Sequence, residues 1–207
     1  MPRRSVLEFW YDFASNFSYL SAMRIEELAE VAGVEVRWRP FLLGPIFAAQ
    51  GMNTSPFNLY PVKGRYAWRD MEREAQALGL PARKPDPFPQ NSLLSARVAL
   101  LGLERGWTPA FTKAVYRAEF GAGRTIGDPA VIGSVLAELG LDASAILKDA
   151  QDEPNKARLK AVGEEAKSRG LFGAPTFFTE DGEMFWGNDR LERALAWASG
   201  KQAVGKA

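Results

Sequence analysis

The sequence predicts an α/β fold in which an all-helical block interrupts a small mixed sheet, and three observations lead there. Residues 6–13 (VLEFWYDF) form a nearly unbroken apolar, aromatic run, as a central strand covered on both faces requires. A helical pattern and a second, alternating strand follow within about forty residues, which makes a βαβ unit with parallel strands and a right-handed crossover. Near the other end, two short aromatic runs flank Glu180-Asp181-Gly182-Glu183, a hairpin turn.

After the first strand, Phe17, Leu20, Met23 or Arg24, Leu28 and Val31 recur at helical spacing, with Glu26, Glu27 and Glu30 outward and Gly33 as the stop. Val34, Val36 and Trp38 then alternate with Glu35, Arg37 and Arg39 until Pro40 ends the strand. From 41 to about 150 the patterns are helical. Residues 63–79 are charged and amphipathic. Residues 91–106 start at Asn91 or Ser92 and bury Leu93, Leu94, Val98 and Leu101. A helix over 109–120 is followed by one capped at Asp128, with Pro129 in its first position, and a short one over 142–150. Between the first two, Pro81, Pro85, Pro87 and Pro89 mark a stiff extended loop. Asn155 is expected to cap a helix to Arg169, stopped at Gly170. Strands at 176–178 and 184–186 follow, and Asp189 with Glu192 resembles a capping box opening a last helix over 190–198. The order βαβ, helical block, αββα is the thioredoxin order with a helical insertion. It divides into a discontinuous thioredoxin-like domain (1–41 and 151–207) and a helical domain (42–150).

Composition narrows the chemistry. The 207 residues, 46% apolar and 25% charged, suit one core with a helical elaboration. Lys+Arg 26 against Asp+Glu 25 leaves a net charge of +1, so no global field marks a binder of nucleic acid or membrane surfaces. The chain has Cys 0 and His 0, which excludes disulfides, thiolate nucleophiles, Cys/His zinc sites, haem ligation through those residues and every triad with a His base. No metal site is expected, and any metal would need an all-oxygen shell. Met1-Pro2-Arg3-Arg4 is not followed by a signal-peptide core, because Glu8 and Asp12 break the apolar stretch. The longest uncharged run, 40–62, is too rich in Gly, Pro and Asn to span a bilayer. The expectation is a soluble, cytoplasmic protein without repeats, whose only low-complexity segment is the polar tail 200–207.

Two places hold candidate site residues. Ser15 stands where the first strand hands over to the first helix, the end of an α/β sheet at which helix N-termini gather and ligands bind. Ser is also a preferred N-cap, and capping and ligand contact are compatible. The second place is Gly173-Ala174-Pro175-Thr176, where Pro175 reads either as an ordinary strand-starting residue or as the cis-proline that thioredoxin-like folds set opposite the active-site helix.

Five stretches, FWYDFASNFSYLSAMR, RPFLLGPIFAAQGMN, KGRYAWRDMEREAQALGLP, FPQNSLL and GAPTFFTEDGEMFWGNDRL, together resemble the 2-hydroxychromene-2-carboxylate isomerases and, with them, the kappa-class glutathione transferases. The resemblance covers most of the chain. It implies a helical domain inserted in a thioredoxin domain, as in periplasmic disulfide oxidoreductases, and a homodimer that binds glutathione. It places Ser15 as the catalytic residue, where those oxidoreductases have their first Cys. A fold without cysteine cannot exchange disulfides, but it can hold a thiol supplied by glutathione. The residue after the serine is commonly Pro in the family and is Asn16 here, which loosens the turn. The resemblance further implies glutathione contacts from Ala174, Pro175, Trp186, Gly187, Asn188 and Asp189, and contacts to a small aromatic carboxylate substrate from Asn53, Thr54 and Lys63. Without that resemblance, Asp189 reads as a helix cap and Lys63 as a solvated lysine; Asn91 is given no catalytic role. Trp10, Tyr11, Phe47, Tyr66 and Trp68 could supply a flat pocket or belong to the core. The reaction implied is isomerisation of 2-hydroxychromene-2-carboxylate to trans-o-hydroxybenzylidenepyruvate through a transient glutathione adduct. The alternatives are a kappa-type transferase or peroxidase that consumes the thiol, and a non-catalytic thioredoxin-like binding module.

Overall fold

A computed structural model describes residues 3–200 of the chain, so most of the predicted polar tail, 201–207, lies outside the described residues. Strand β1 (Ser5–Tyr11), helix α1 (Asn16–Ala32) and strand β2 (Val34–Pro40) form the expected unit. The helical stretch comprises α2 (Gly44–Ala49), α3 (Pro56–Leu59), α4 (Pro61–Ala77), α5 (Leu93–Arg105), α6 (Thr108–Tyr116), α7 (Pro129–Glu138) and α8 (Ala143–Asp149). Helix α9 (Glu153–Ser168), strands β3 (Thr176–Thr179) and β4 (Met184–Trp186), and helix α10 (Leu191–Ala198) complete the chain.

The sheet order is β2-β1-β3-β4. β1 and β2 are parallel, with Ser5 opposite Val34 and Tyr11 opposite Pro40. β3 runs antiparallel to β1, with Phe9 opposite Phe177, and β4 antiparallel to β3. β1 is apolar on both faces because both are covered. Leu7, Phe9 and Tyr11 join one large cluster with Phe177 and α1, while Trp10 turns the other way to Phe41, Ile46, Ala166, Leu171 and Phe178. The helical insertion is tied to the sheet by aromatic rings. Tyr116 lies 6.3 Å from Tyr11 and 5.4 Å from Phe13, and Phe120 stacks on Tyr19 at 5.7 Å. Each such pair contributes about 0.5–1.5 kcal/mol beyond area burial.

Several local expectations hold. Gly33, at φ 72, closes α1 by donating to Ala29 and Glu30 carbonyls. Asp128 caps α7 through the Ala130 N–H at 2.8 Å, with Pro129 in the first position. Others need correction. Asn155 does not cap α9: Asp152 is its N-cap, and the buried Asn155 amide donates to the Arg97 carbonyl at 3.0 Å, tying α9 to α5. Asp189 makes no capping box, because Asn188–Arg190 form a 3-10 turn and Arg190 precedes α10 without a side-chain cap. Val31 sits on the predicted apolar stripe of α1 yet is 80% exposed. Among the described residues, none covers the end of that stripe. The helix expected over 109–120 stops as an α-helix at Tyr116 and widens into a π turn, Arg117–Gly121. α2 and α3 were hidden by Pro45 and Pro56, which here occupy first-turn positions where proline is tolerated. No helix among the described residues is long and apolar enough to cross a membrane.

Candidate active site

A cleft of about 900 Å³ opens between the β1–α1 turn, the α2–α3 segment, the start of α4, the residues before α5, and the 172–174 loop beside β4. That is at the top of the roughly 300–1,000 Å³ that hold one drug-sized ligand.

Ser15 is the N-cap of α1, with extended backbone (φ −95, ψ 112). Its Oγ accepts from the Ser18 N–H at 3.2 Å and donates to the Ala174 carbonyl at 3.0 Å. It is 7% exposed and lines the cleft. Cap and site are therefore the same residue. The first-turn N–H groups of a 17-residue helix and its positive dipole end surround that hydroxyl, an environment that favours an anion.

The turn before Ser15 is built around Asp12. One carboxylate oxygen accepts from the Ala14 N–H at 3.0 Å and the other from the Leu43 N–H at 2.6 Å. The Asp12 carbonyl accepts from the Ser15 N–H at 2.9 Å and from the Tyr116 hydroxyl at 2.9 Å. One residue thus joins β1, α1, the loop into α2 and α6. Burial raises the Asp12 carboxyl above the usual range, against hydrogen bonds from the Leu43 N–H, the Ser92 hydroxyl and the Ala14 N–H that favour its charge. Sequence reasoning missed this residue. Its signal was a lone acid at the end of a buried apolar strand, three positions before the serine.

Six of the predicted site residues share the cleft: Ser15, Asn53, Thr54, Lys63, Ala174 and Trp186. The Ala174–Pro175 bond is cis, and the Pro175 carbonyl accepts from the Gly187 N–H at 3.0 Å. Trp186 is 50% exposed and packs 4.9 Å from Phe172, so the two rings make one wall. A Cβ at Gly173 would fall inside the Trp186 indole, so glycine is needed there. Pro175, Gly187, Asn188 and Asp189 do not line the cleft. Gly187 adopts φ 111, which favours glycine. The Asn188 Oδ1 is buried and accepts from the Ser21 hydroxyl at 2.9 Å, fastening the end of β4 to α1. Asp189 is exposed and pairs with Arg190 at 2.6 Å. Of the five aromatics considered, Phe47 and Tyr66 line the cleft, whereas Trp10, Tyr11 and Trp68 are core. Phe172 and Asn16 also line it and were not anticipated. Asn16 answers the loosened turn by accepting the Phe17 N–H at 3.1 Å on its own side chain.

Residues 6–196 match the model of the DsbA-like thioredoxin domain. The 2-hydroxychromene-2-carboxylate isomerase of Pseudomonas putida is 32% identical over 90% of this chain and 90% of that protein. The chain belongs to the DsbA-like thioredoxin family and, within it, to the 2-hydroxychromene-2-carboxylate isomerases. A solved isomerase structure of that name superposes with a TM-score of 0.83 at 31% identity, covering 95% of each chain. A more distant relative, glutathione s-transferase kappa 2 of Caenorhabditis elegans, is 24% identical over 92% of this chain and 90% of its own length. In this DsbA-like member, a serine hydroxyl occupies the mouth of α1, and thiol chemistry there requires a thiol from outside the chain.

Proposed function

We propose that this protein is a glutathione-dependent isomerase converting 2-hydroxychromene-2-carboxylate to trans-o-hydroxybenzylidenepyruvate. The observation that carries the reading is the Ser15 hydroxyl at the start of α1, hydrogen-bonded to the Ala174 carbonyl in the lining of a cleft, in a chain without cysteine. The residues present fit the tripeptide: the Ser15 hydroxyl has a hydrogen to give, the helix start favours an anion, and the cleft has room for two small ligands. Bound glutathione would supply a nucleophilic thiolate that is regenerated at the end of the cycle.

This chain's own residues do the rest. Ser15 turns its hydrogen from the Ala174 carbonyl to the sulfur and stabilises its charge. Ala174 offers backbone to the tripeptide and Trp186 frames its other end, while Pro175, Gly187, Asn188 and Asp189, which do not line the cleft, support these two from outside it. Lys63 attracts the carboxylate of the aromatic substrate, Asn53 and Thr54 hydrogen-bond it, and Phe47 and Tyr66 flank its ring. The protein works as a homodimer in this reading.

The kappa-type transferase, with the same site and a consumed thiol, is the second reading; the name of the C. elegans relative favours it. Incubation with the chromene and catalytic glutathione separates them. Isomerisation with no net loss of thiol supports the proposal. Conjugation of a chloronitrobenzene with stoichiometric thiol loss and no isomerisation supports the second reading.

A further inference from the structure

The core holds buried polar chemistry that the proposed reaction does not use. Glu119 sits in the π turn after α6, fully buried, and neither of its carboxyl oxygens meets a hydrogen-bond donor. An isolated carboxylate in such a place is strongly disfavoured, so the group keeps its proton. Burial, followed by the like charge of Asp12, holds Glu119 well above the usual carboxylate range. Asp12 faces it from the β1–α1 turn, Tyr116 from α6, and Tyr11 lies beside Tyr116 on β1. On α1, Tyr19 packs against Tyr116, with the Arg117 charge acting on Tyr19 rather than on Glu119. The Ser18 and Ser95 hydroxyls are buried without a partner as well. Arg83 donates to the Ala122 carbonyl, and Arg124 goes to Ser134 and Glu138. Among the described residues no Lys or Arg forms an ion pair with Glu119.

The Glu119 carboxyl makes no hydrogen bond itself, but Tyr116, on the turn before it, reaches the site through two. The Tyr116 hydroxyl donates to the Asp12 carbonyl, and that same carbonyl accepts the Ser15 N–H. We infer that Glu119 is a positioning residue for Ser15, acting through Tyr116 and Asp12, and that it holds this turn only as the neutral acid. When it ionises it must leave the core or push Asp12 away, and either motion draws Tyr116 off the Asp12 carbonyl. The sign follows from linkage. A carboxyl raised in the folded state binds its proton more tightly there than in the unfolded chain. Its contribution is therefore lost as pH climbs from the ordinary carboxyl range through the folded value. The assignment of a role in catalysis rests on the proposed function; the structural coupling does not.

Amide hydrogen exchange of the full chain tests the coupling without ligand, comparing wild type with Glu119→Gln between about pH 6 and pH 9. Glutamine keeps the shape of the neutral acid and cannot ionise. In wild type the protection of the Ser15 and Ser18 amides should fall by about tenfold per pH unit above the Glu119 value, relative to amides in α7. In Glu119→Gln it should stay level. Should glutamine not be accepted in the core, Glu119→Met, apolar and unbranched, gives the same reading. Wild-type protection independent of pH, a loss spread evenly over the chain, or the same loss in both proteins would overturn the inference. Calorimetry with S-methylglutathione, whose sulfur cannot ionise, separates the two claims. No binding at any pH with the exchange result intact removes the glutathione reading and leaves the coupling.

Discussion

Replacing Ser15 by Ala removes one hydroxyl with two functions, and the two can be weighed separately. As N-cap, Ser15 accepts the Ser18 N–H, and such caps contribute about 0.5–2 kcal/mol. For a chain this long that lowers Tm by roughly 1–8 °C. As donor to a thiolate, the hydroxyl contributes about 1.5–3 kcal/mol, which raises the bound thiol by roughly 1–2 pKa units when lost. If the wild-type site holds glutathione about two units below its free value near 8.5, about three quarters is thiolate at pH 7. After the substitution the fraction drops to about 3–20%, so turnover falls about 4- to 30-fold. The assay is the ultraviolet thiolate absorbance of the bound tripeptide against pH, followed by isomerisation rates at the same pH values. Ser15→Asp serves as the control. It keeps the cap acceptor but has no hydrogen to give to the Ala174 carbonyl or the sulfur, so thiolate absorbance and turnover should vanish, with a Tm loss set by that one unpaired carbonyl. Full turnover in Ser15→Ala with an unchanged thiolate titration refutes the reasoning.

Three further outcomes are expected. Gly173→Ala forces the Trp186 indole off its seat and should weaken glutathione binding severalfold in calorimetry, with little change in Tm because Trp186 is half exposed. Asp12→Asn sets an amide donor against the Leu43 or Ala14 N–H, which should cost about 1–3 kcal/mol and lower Tm by roughly 2–12 °C. Since burial raises Asp12, wild-type stability declines as pH rises from about 4 through its folded value; the variant lacks the part of that decline due to Asp12 and keeps the part due to Glu119, so melts across pH reveal both effects. Lys63→Gln should raise KM for the carboxylate substrate up to about fivefold with kcat unchanged, and added salt should erase the difference, as for an exposed ion pair.

What was legible in the chain was whatever local chemistry decides. The β1 run, the Gly33 stop, the Asp128-Pro129 start and the Asp181-Gly182 turn all act within a few residues, and each forms as read. Ser15 was legible for the same reason, because a cap is a local event. The misreadings came where a local pattern met a tertiary competitor. Asn155 looked like a cap, but the Arg97 carbonyl on α5 claims its amide. Asp189 three residues before Glu192 looked like a capping box, but the Gly187 backbone sends the chain into a 3-10 turn first. The Asp12 hub and buried Glu119 were out of reach, since their meaning depends on Leu43, Tyr116 and Ser92, brought close only by folding. A third of the cleft lining comes from α2, α3 and the loop between them, whose proline-rich sequence shows no helical period.

The most direct measurement is a crystal structure of the protein soaked with glutathione. The account predicts the sulfur within hydrogen-bond distance of the Ser15 Oγ, with that hydroxyl turned away from the Ala174 carbonyl and the tripeptide backbone alongside Ala174. A sulfur lying elsewhere in the cleft, or a cleft left empty at millimolar glutathione, would contradict it.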